Sequence, residues 1–376
     1  MTEILPLFAA ASALLYALIA ALLQRTPKPQ AITPRSRPRV AVLVAMRNEE
    51  EHIGACLNAL AHQTYPEDHY EVFVLDDRSE DRSAAIAAEF ARRFDFLHVR
   101  AVTEDRNGLH GKMNALSQGL HSVEHDLVLI TDADCVVPET WIETMVSYFD
   151  EHTGMVGGLT VLFPFDTLTV PAAPTSMWAK IQALDWIFLQ AMAAANSRFG
   201  KPITILGNNF GFRTAAYREV GGFEALGFSV TEDFALMEAL RKRTNWKVRH
   251  TLDKKSAIYS RPVPTIKDFF AQRLRWVKGG RRARPWGIFI LGFSVLAHSL
   301  VAAGVVLTGE NPLSWLALLL LPATDALIIA PVLKKLRLQK LWPAFPLFEA
   351  FYFIYLWVFS IVFFWPFKVR WKGRTF

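Results

Sequence analysis

YEVFVLDD (70–77) and DLVLITDAD (126–134) are the two stretches on which the fold turns. Each is a short, nearly unbroken apolar run that ends in acids. A run of that kind fits a strand buried on both faces, as in a parallel sheet. VAVLVAM (40–46) and FLHVRAV (96–102) read the same way, while 49–63, 82–94 and 112–123 carry helical spacing. Strands alternating with helices predict a parallel sheet with right-handed crossovers. Ligands of such sheets gather beyond the carboxyl ends of the strands, where both acidic clusters fall.

Past residue 138 the pattern loosens. MVGGLTVLF (155–163) reads as a strand and 175–195 as a long amphipathic helix. GNNFGFR (207–213) reads as a loop or turn that YREVGGF (217–223) continues. TEDFALMEALRKR (231–243) reads as a helix capped by Thr231, with Glu232 and Asp233 at its positive end. Residues 265–286 are amphipathic and basic, a pattern that suits a helix lying in a membrane interface.

The chain has 376 residues, 52% of them hydrophobic, and the excess is concentrated. Residues 4–23 form a charge-free run long enough to span a bilayer, and similar runs lie near 286–309, 312–333 and 343–367. The first run lacks a basic residue ahead of it, unlike a signal peptide. Arg25, Lys28, Arg35, Arg37 and Arg39 follow it, which predicts an outside amino terminus and a cytoplasmic central domain. The expected organisation is a transmembrane helix over 1–25, a basic linker over 26–39, a catalytic domain over 40–264, an interface helix over 265–285 and a membrane region over 286–376. Three later spans would leave the carboxyl terminus outside, yet Lys368, Arg370, Lys372 and Arg374 argue inside. Segment 343–367, with its prolines and Glu349, is then expected to lie in the interface or re-enter.

Net charge is +6, but the basic residues cluster beside apolar runs, at 25–39, 273–284, 334–340 and 368–374. That placement favours anionic lipid headgroups over nucleic acid. No helix-turn-helix, RNP-like or zinc-finger pattern is present. The two cysteines, Cys56 and Cys135, lack metal spacing and suit a reducing compartment.

Four groups carry the chemistry. Asp132 and Asp134, two apart at a strand end, can lean toward one hard cation such as Mg²⁺ or Mn²⁺. Asp76 and Asp77 can accept from a base N–H or a ribose hydroxyl, or close an Asx-turn with Ser79 and Asp81. Lys112, after Gly111, offers a point charge to phosphate, although GLHGKMNAL (108–116) lacks Walker A spacing. QRLRW (272–276) places Gln272, Arg275 and Trp276 on adjoining turns, which as a bland alternative is an interfacial Trp/Arg belt.

The order Asp-Asp, Asp-x-Asp, TED (231–233), then Gln-x-x-Arg-Trp resembles the membrane-embedded, processive-type branch of the family-2 glycosyltransferases. The resemblance covers about 38–285. It implies a GT-A fold (α/β, Rossmann-like, mostly parallel), a divalent cation, a UDP-sugar donor and inversion at the anomeric carbon. By the same resemblance Asp233 is the catalytic base and Glu232 lies on the acceptor side. Glu49 of RNEE (47–50), Asp76, Asp77, Lys112 and Asp132 are donor contacts, and Asp132 with Asp134 holds the metal. Gln272, Arg275 and Trp276 contact the donor, with Trp276 also beneath the acceptor sugar, and Asn208 and Asn209 hold the acceptor. Arg78 stands where the family commonly has glycine.

The chain shows fewer apolar runs than the polysaccharide synthases of that branch. A lipid acceptor is therefore expected, with polymer synthesis through a homo-oligomer as the alternative. A transporter is disfavoured because Asp325 and Glu349 are the main intramembrane charges. An inactive sugar-binding scaffold is disfavoured because the acids that such a protein would lose are present.

Overall fold

The apolar runs become the sheet the sequence predicts. The structure is a computed structural model, and it describes residues 4–25, 37–163, 176–281, 283–368, 370–371 and 374–375. The expected linker 26–39 therefore lies mostly outside the described residues. The chain divides into two units.

The first unit comprises residues 29–175 and 204–264. Its strands are β1 (Val40–Met46), β2 (Tyr70–Asp76), β3 (Leu97–Ala101), β4 (Leu127–Asp132), β5 (Thr153–Gly157), β6 (Thr160–Leu162), β7 (Asn209–Arg213), β8 (Lys247–His250) and β9 (Ile258–Ser260). Seven of them form one sheet in the order β3-β2-β1-β4-β7-β5-β8. Only β7 runs against its neighbours, while β6 and β9 make a separate parallel pair. Within this unit lie helices α2 (Ile53–Ala61), α3 (Ser83–Arg93), α4 (Gly111–Leu120) and α5 (Trp141–Val146). The other unit supplies α1 (Ile4–Arg25) and α6 (Met177–Arg198). The chain then returns to the first unit for α7 (Thr214–Glu219), α8 (Gly222–Leu226) and α9 (Glu232–Arg243). Val42, Val44, Leu57, Val74, Leu129 and Trp141 are among the fully buried side chains of its core.

Register decides where the acids go. Met46 of β1 pairs with Asp76, and Ala45 with Asp132. The two acidic strand ends thus flank one strand, about 10 Å apart at the usual strand spacing.

Several expectations are corrected here. GNNFGFR is not a loop: it supplies β7, inside the sheet, with Phe210 and Phe212 fully buried. A side chain at Gly211 would lie 2.3 Å from Leu129 Cδ2, so glycine there marks close approach and not a turn. YREVGGF is likewise not loop but parts of α7 and α8. The expected strand 155–163 breaks into β5 and β6 around Gly158, where any Cβ would collide with the Asn209 amide at 2.3–2.5 Å. Strands β8 and β9 were not anticipated.

The second unit takes residues 1–28, 176–203 and 265–376. It holds α1, α6, α10 (Ile266–Gly280), α11 (Pro285–Leu307), α12 (Pro312–Leu336) and α13 (Phe345–Phe364). Helix α6 falls within the catalytic domain expected over 40–264 but groups with these helices. Among the described residues, four segments are long and apolar enough to cross a membrane: Ile4–Gln24, Pro285–Leu307, Pro312–Leu336 and Gln339–Phe364. Their outward faces are apolar, with Leu327 73% and Phe364 84% exposed, as lipid contact requires and water would penalise. Small residues let α1 approach α11 and α12: Ala9, Ala13, Ala297 and Ala317 are buried together. Residues 345–364 form one continuous helix.

Candidate active site

The site is assembled from strand ends of the first unit. Lys112, in the first turn of α4, reaches across to three oxygens. Its Nζ lies 2.6 Å from Asp132 Oδ1, 2.9 Å from Glu232 Oε1 and 2.7 Å from the Gly207 carbonyl. Burial works against the Lys112 charge, but the Asp132 and then the Glu232 carboxylate outweigh it and raise its pKa. One ammonium therefore ties the end of β4 to the start of α9 and to the turn before β7.

Glu232 and Asp233 open α9, where unpaired N–H groups favour acids. Both are buried, and Asp233 Oδ1 accepts the Phe234 N–H at 2.8 Å. Thr231 stands at the cap position, but its side chain makes no cap bond, contrary to expectation. Gly207 lies against this pair. A Cβ there would sit 2.9 Å from Asp233 Oδ2 and 3.3 Å from Glu232 Oε1. Sequence reasoning missed Gly207, although a glycine just before a polar pair was the available signal.

At the end of β4, burial alternates. Ala133 and Cys135 turn into the core, while Asp132 and Asp134 remain partly exposed. Asp134 Oδ1 lies 3.5 Å from Cys135 Sγ, and Cys56 Sγ lies 3.6 Å from the Asp132 carbonyl. Both thiols are free, and burial followed by the nearby acids pushes them up, away from thiolate chemistry.

The loops after β1 and β2 are laced together. Asn48 Oδ1 accepts the Glu80 N–H at 2.8 Å, Ser83 Oγ accepts the Glu49 N–H at 2.7 Å, and Asp81 accepts the Glu50 N–H at 3.0 Å. This lacing replaces the first turns of the helix expected from residue 49. Asp76 accepts the Ser79 N–H, three residues on, at 3.2 Å, and the Asx-turn is made instead by Asp81, which accepts the Ser83 N–H at 2.9 Å. Asp77, 4% exposed, accepts from Arg78 Nη2 at 2.7 Å, and the same guanidinium reaches Asp105 at 2.5 Å. Arg78 has φ 61°, a left-handed conformation that explains why glycine suits this position. Glu49 Oε2 meets His52 Nδ1 at 3.0 Å, and Arg261 donates to His52 Nε2 at 2.6 Å. That bond makes Nε2 the acceptor and Nδ1–H the donor to Glu49. His52 and Arg261 carried no sequence signal.

Asn209 does not lie where the sequence reading put it. It is fully buried, accepts from Trp141 Nε1 at 3.0 Å, and donates to Leu159 O at 2.8 Å and Ser256 O at 3.0 Å. Its amide is spent on holding β7 to its neighbours, so it has no group left for an acceptor. Asn208, 7% exposed, accepts from Thr160 Oγ1 at 3.0 Å and approaches Cys135 Sγ at 3.7 Å.

Gln272, Arg275 and Trp276 belong to the second unit, on α10, and all three are partly exposed. Trp276 stands edge-on to Trp186 of α6, ring centroids 5.5 Å apart.

Known proteins resemble this chain in sequence and in fold. The chain is 30% identical over 247 residues to beta-monoglucosyldiacylglycerol synthase of Synechocystis sp., covering 65% of this chain and 48% of that protein. It is 28% identical over 250 residues to poly-beta-1,6-N-acetyl-D-glucosamine synthase of Staphylococcus epidermidis, covering 64% and 54%. It is also 28% identical over 254 residues to the probable glycosyltransferase YdaM of Bacillus subtilis, covering 65% and 56%. The chain thus spans about half the length of these relatives. Among solved structures, mannosyltransferase PcManGT from Pyrobaculum calidifontis, in complex with GDP-Man and Mn²⁺, shares the fold. Its TM-score is 0.61 at 20% identity, covering 94% of this chain and 99% of that one. The model of glycosyl transferase family 21 matches residues 5–376, and the chain belongs to that family, with a GT-A-type fold.

Proposed function

We propose that this glycosyltransferase moves one sugar, with inversion, from a UDP-sugar to a lipid hydroxyl at the cytoplasmic face of a membrane. The observation that carries the reading is the Lys112 clasp. It sets Asp233 beside Glu232 and Gly207, within reach of the strand end that carries Asp132. An acceptor hydroxyl hydrogen-bonded to Asp233 gives up its proton as its oxygen attacks the anomeric carbon. The bond from that carbon to the diphosphate breaks on the opposite face, and its electron pair leaves with the nucleotide. General-base help of this kind is worth ~10²–10⁴-fold. Glu232 orients the acceptor, with Asn208 the remaining amide beside it. Glu49, Asp76 and Asp77 line the base and ribose side. Arg275 offsets charge on the departing diphosphate, with Gln272 alongside and Trp276 beneath the sugar.

Asp132 and Asp134 suit Mg²⁺ or Mn²⁺. Both are hard oxygen donors on one side of a strand end, and Asp132 already draws an ammonium to 2.6 Å. No group of three or more candidate ligands occurs among the described residues, so donor phosphates would complete the shell. Such an ion supplies charge neutralisation of the diphosphate.

The glucosyldiacylglycerol synthases among the relatives favour a lipid acceptor, and the poly-N-acetylglucosamine synthases favour polymer synthesis as the second reading. The composition of the spans supports the lipid reading. A polymer must cross hydrocarbon along a polar path, whereas within the four described spans the ionisable residues well inside are His298, Asp325 and Glu349. The test uses full-length protein in detergent, labelled UDP-sugars and a lipid extract. Label that partitions into organic solvent as a discrete glycolipid is expected. Label in high-mass, water-soluble product would transfer the case to the polymer reading.

A further inference from the structure

QRLRW contains an arginine that its motif does not specify. Arg273 of α10 is 4% exposed, and its ion-pair partner, Asp185 of α6, is fully buried. The Tyr355 hydroxyl of α13 donates to Oδ1 of the same carboxylate, while Arg273 takes Oδ2. The guanidinium lies 4.1 Å from the centre of the Trp276 ring and 4.6 Å from that of Phe269. All of these groups belong to one unit.

As a stabilising device this pair is poorly built. Arg273 Nε has no hydrogen-bond partner among the described residues, and burying an ion pair costs desolvation that attraction often only just repays. As a geometric device it is well built. A planar, always-charged group is pinned from two other helices and lies over an indole three residues on, where helix geometry makes the two side chains neighbours. Both oxygens of Asp185 are engaged, so Arg273 is held inward and is not a ligand-binding group.

We propose that Arg273 is a positioning residue for sugar transfer. Its clamp to Asp185 and Tyr355 fixes the roll of α10 and stacks Trp276, so that Gln272, Arg275 and Trp276 are presented in one orientation. The inference rests on the reading above that these three contact the donor.

The test compares full-length variants in detergent by thermal midpoint, kcat and KM for the UDP-sugar. The first is the triple variant Arg273→Met, Asp185→Leu, Tyr355→Phe, which replaces the buried polar set by apolar groups. A structural role alone predicts retained stability and retained kinetics. Positioning predicts a retained midpoint with KM raised and kcat/KM lowered by about tenfold or more, since ~1 Å of misplacement costs up to ~10²-fold. The second variant, Arg273→Lys, keeps the charge but loses the planar stack on Trp276. It is expected to show the same direction of change, which covers the case in which the triple variant fails to fold. Unchanged KM and kcat in Arg273→Lys, or in a folded triple variant, would overturn the proposal. Trp276→Ala, run alongside, separates the two levels. If it leaves KM and kcat unchanged, the donor-contact reading fails and the inference falls with it. If it impairs transfer while the Arg273 variants do not, only the positioning inference fails.

Discussion

Lys112 is the residue on which the end of β4, the start of α9 and the turn before β7 converge. With its ammonium removed, Asp132 and Glu232 face each other without the charge that draws them together. Breaking a buried charge cluster on one side typically costs about 3 kcal/mol or more. Lys112→Met should therefore lower both the thermal midpoint and activity. The folded state raises this pKa, so its stabilising contribution is complete below the ordinary lysine value of ~10.4 and is lost only as pH rises through the still higher folded value. The penalty measured between wild type and variant should accordingly be flat from about pH 6 to about pH 9. A penalty that grows steadily through that range would contradict the clasp. Gly207→Ala tests the same cluster from another side. The new methyl would press on the Asp233 carboxylate, 2.9 Å from its Oδ2, so the fold should survive while the proposed base is displaced. Transfer should fall by about tenfold or more with little change in thermal midpoint, and wild-type turnover would remove Gly207 from the site.

At the scale of elements, what was legible followed period and ending. Strands β1 to β4 and helices α3, α4 and α9 announce themselves by apolar runs, helical spacing and terminal acids. Of the elements that failed, β7 bears most on the site. Asn208, Asn209 and Gly211 are turn formers by local preference, and only the sheet reveals why they are tolerated: Asn209 bonds to three separate segments and Gly211 lies against Leu129. Those contacts are long-range, so no local signal could carry them. The same holds for Arg261, which reaches Glu49 through His52 from a position more than two hundred residues away. The acidic half of the site was legible because family order and strand ends coincide there. Asn209→Ala tests the new assignment. It strands a buried indole N–H and two carbonyls, and each orphaned group costs ~1–3 kcal/mol. Loss of the folded domain or a strongly lowered midpoint is expected. A stable variant with weakened acceptor binding would restore the acceptor role.

At the scale of the whole molecule, the reading needs the first unit on the cytoplasmic side. Basic residues flank the spans accordingly: Lys334 and Lys335 in the last turn of Pro312–Leu336, Arg337 just after it and Lys340 at the start of Gln339–Phe364 are exposed. A cysteine replacing Glu310, between the second and third spans, should label from outside intact cells. One replacing exposed Glu151 should label only after permeabilisation. The native thiols are buried and contribute little background. The reverse pattern would invert the topology. The most direct measurement of the central claim compares wild type with Asp233→Asn, full length in detergent, for labelled sugar transferred from UDP-sugar to extracted lipid. The account predicts glycolipid from wild type, and a loss of ~10²-fold or more in the variant with thermal midpoint and UDP binding retained. Wild-type transfer by Asp233→Asn would contradict it.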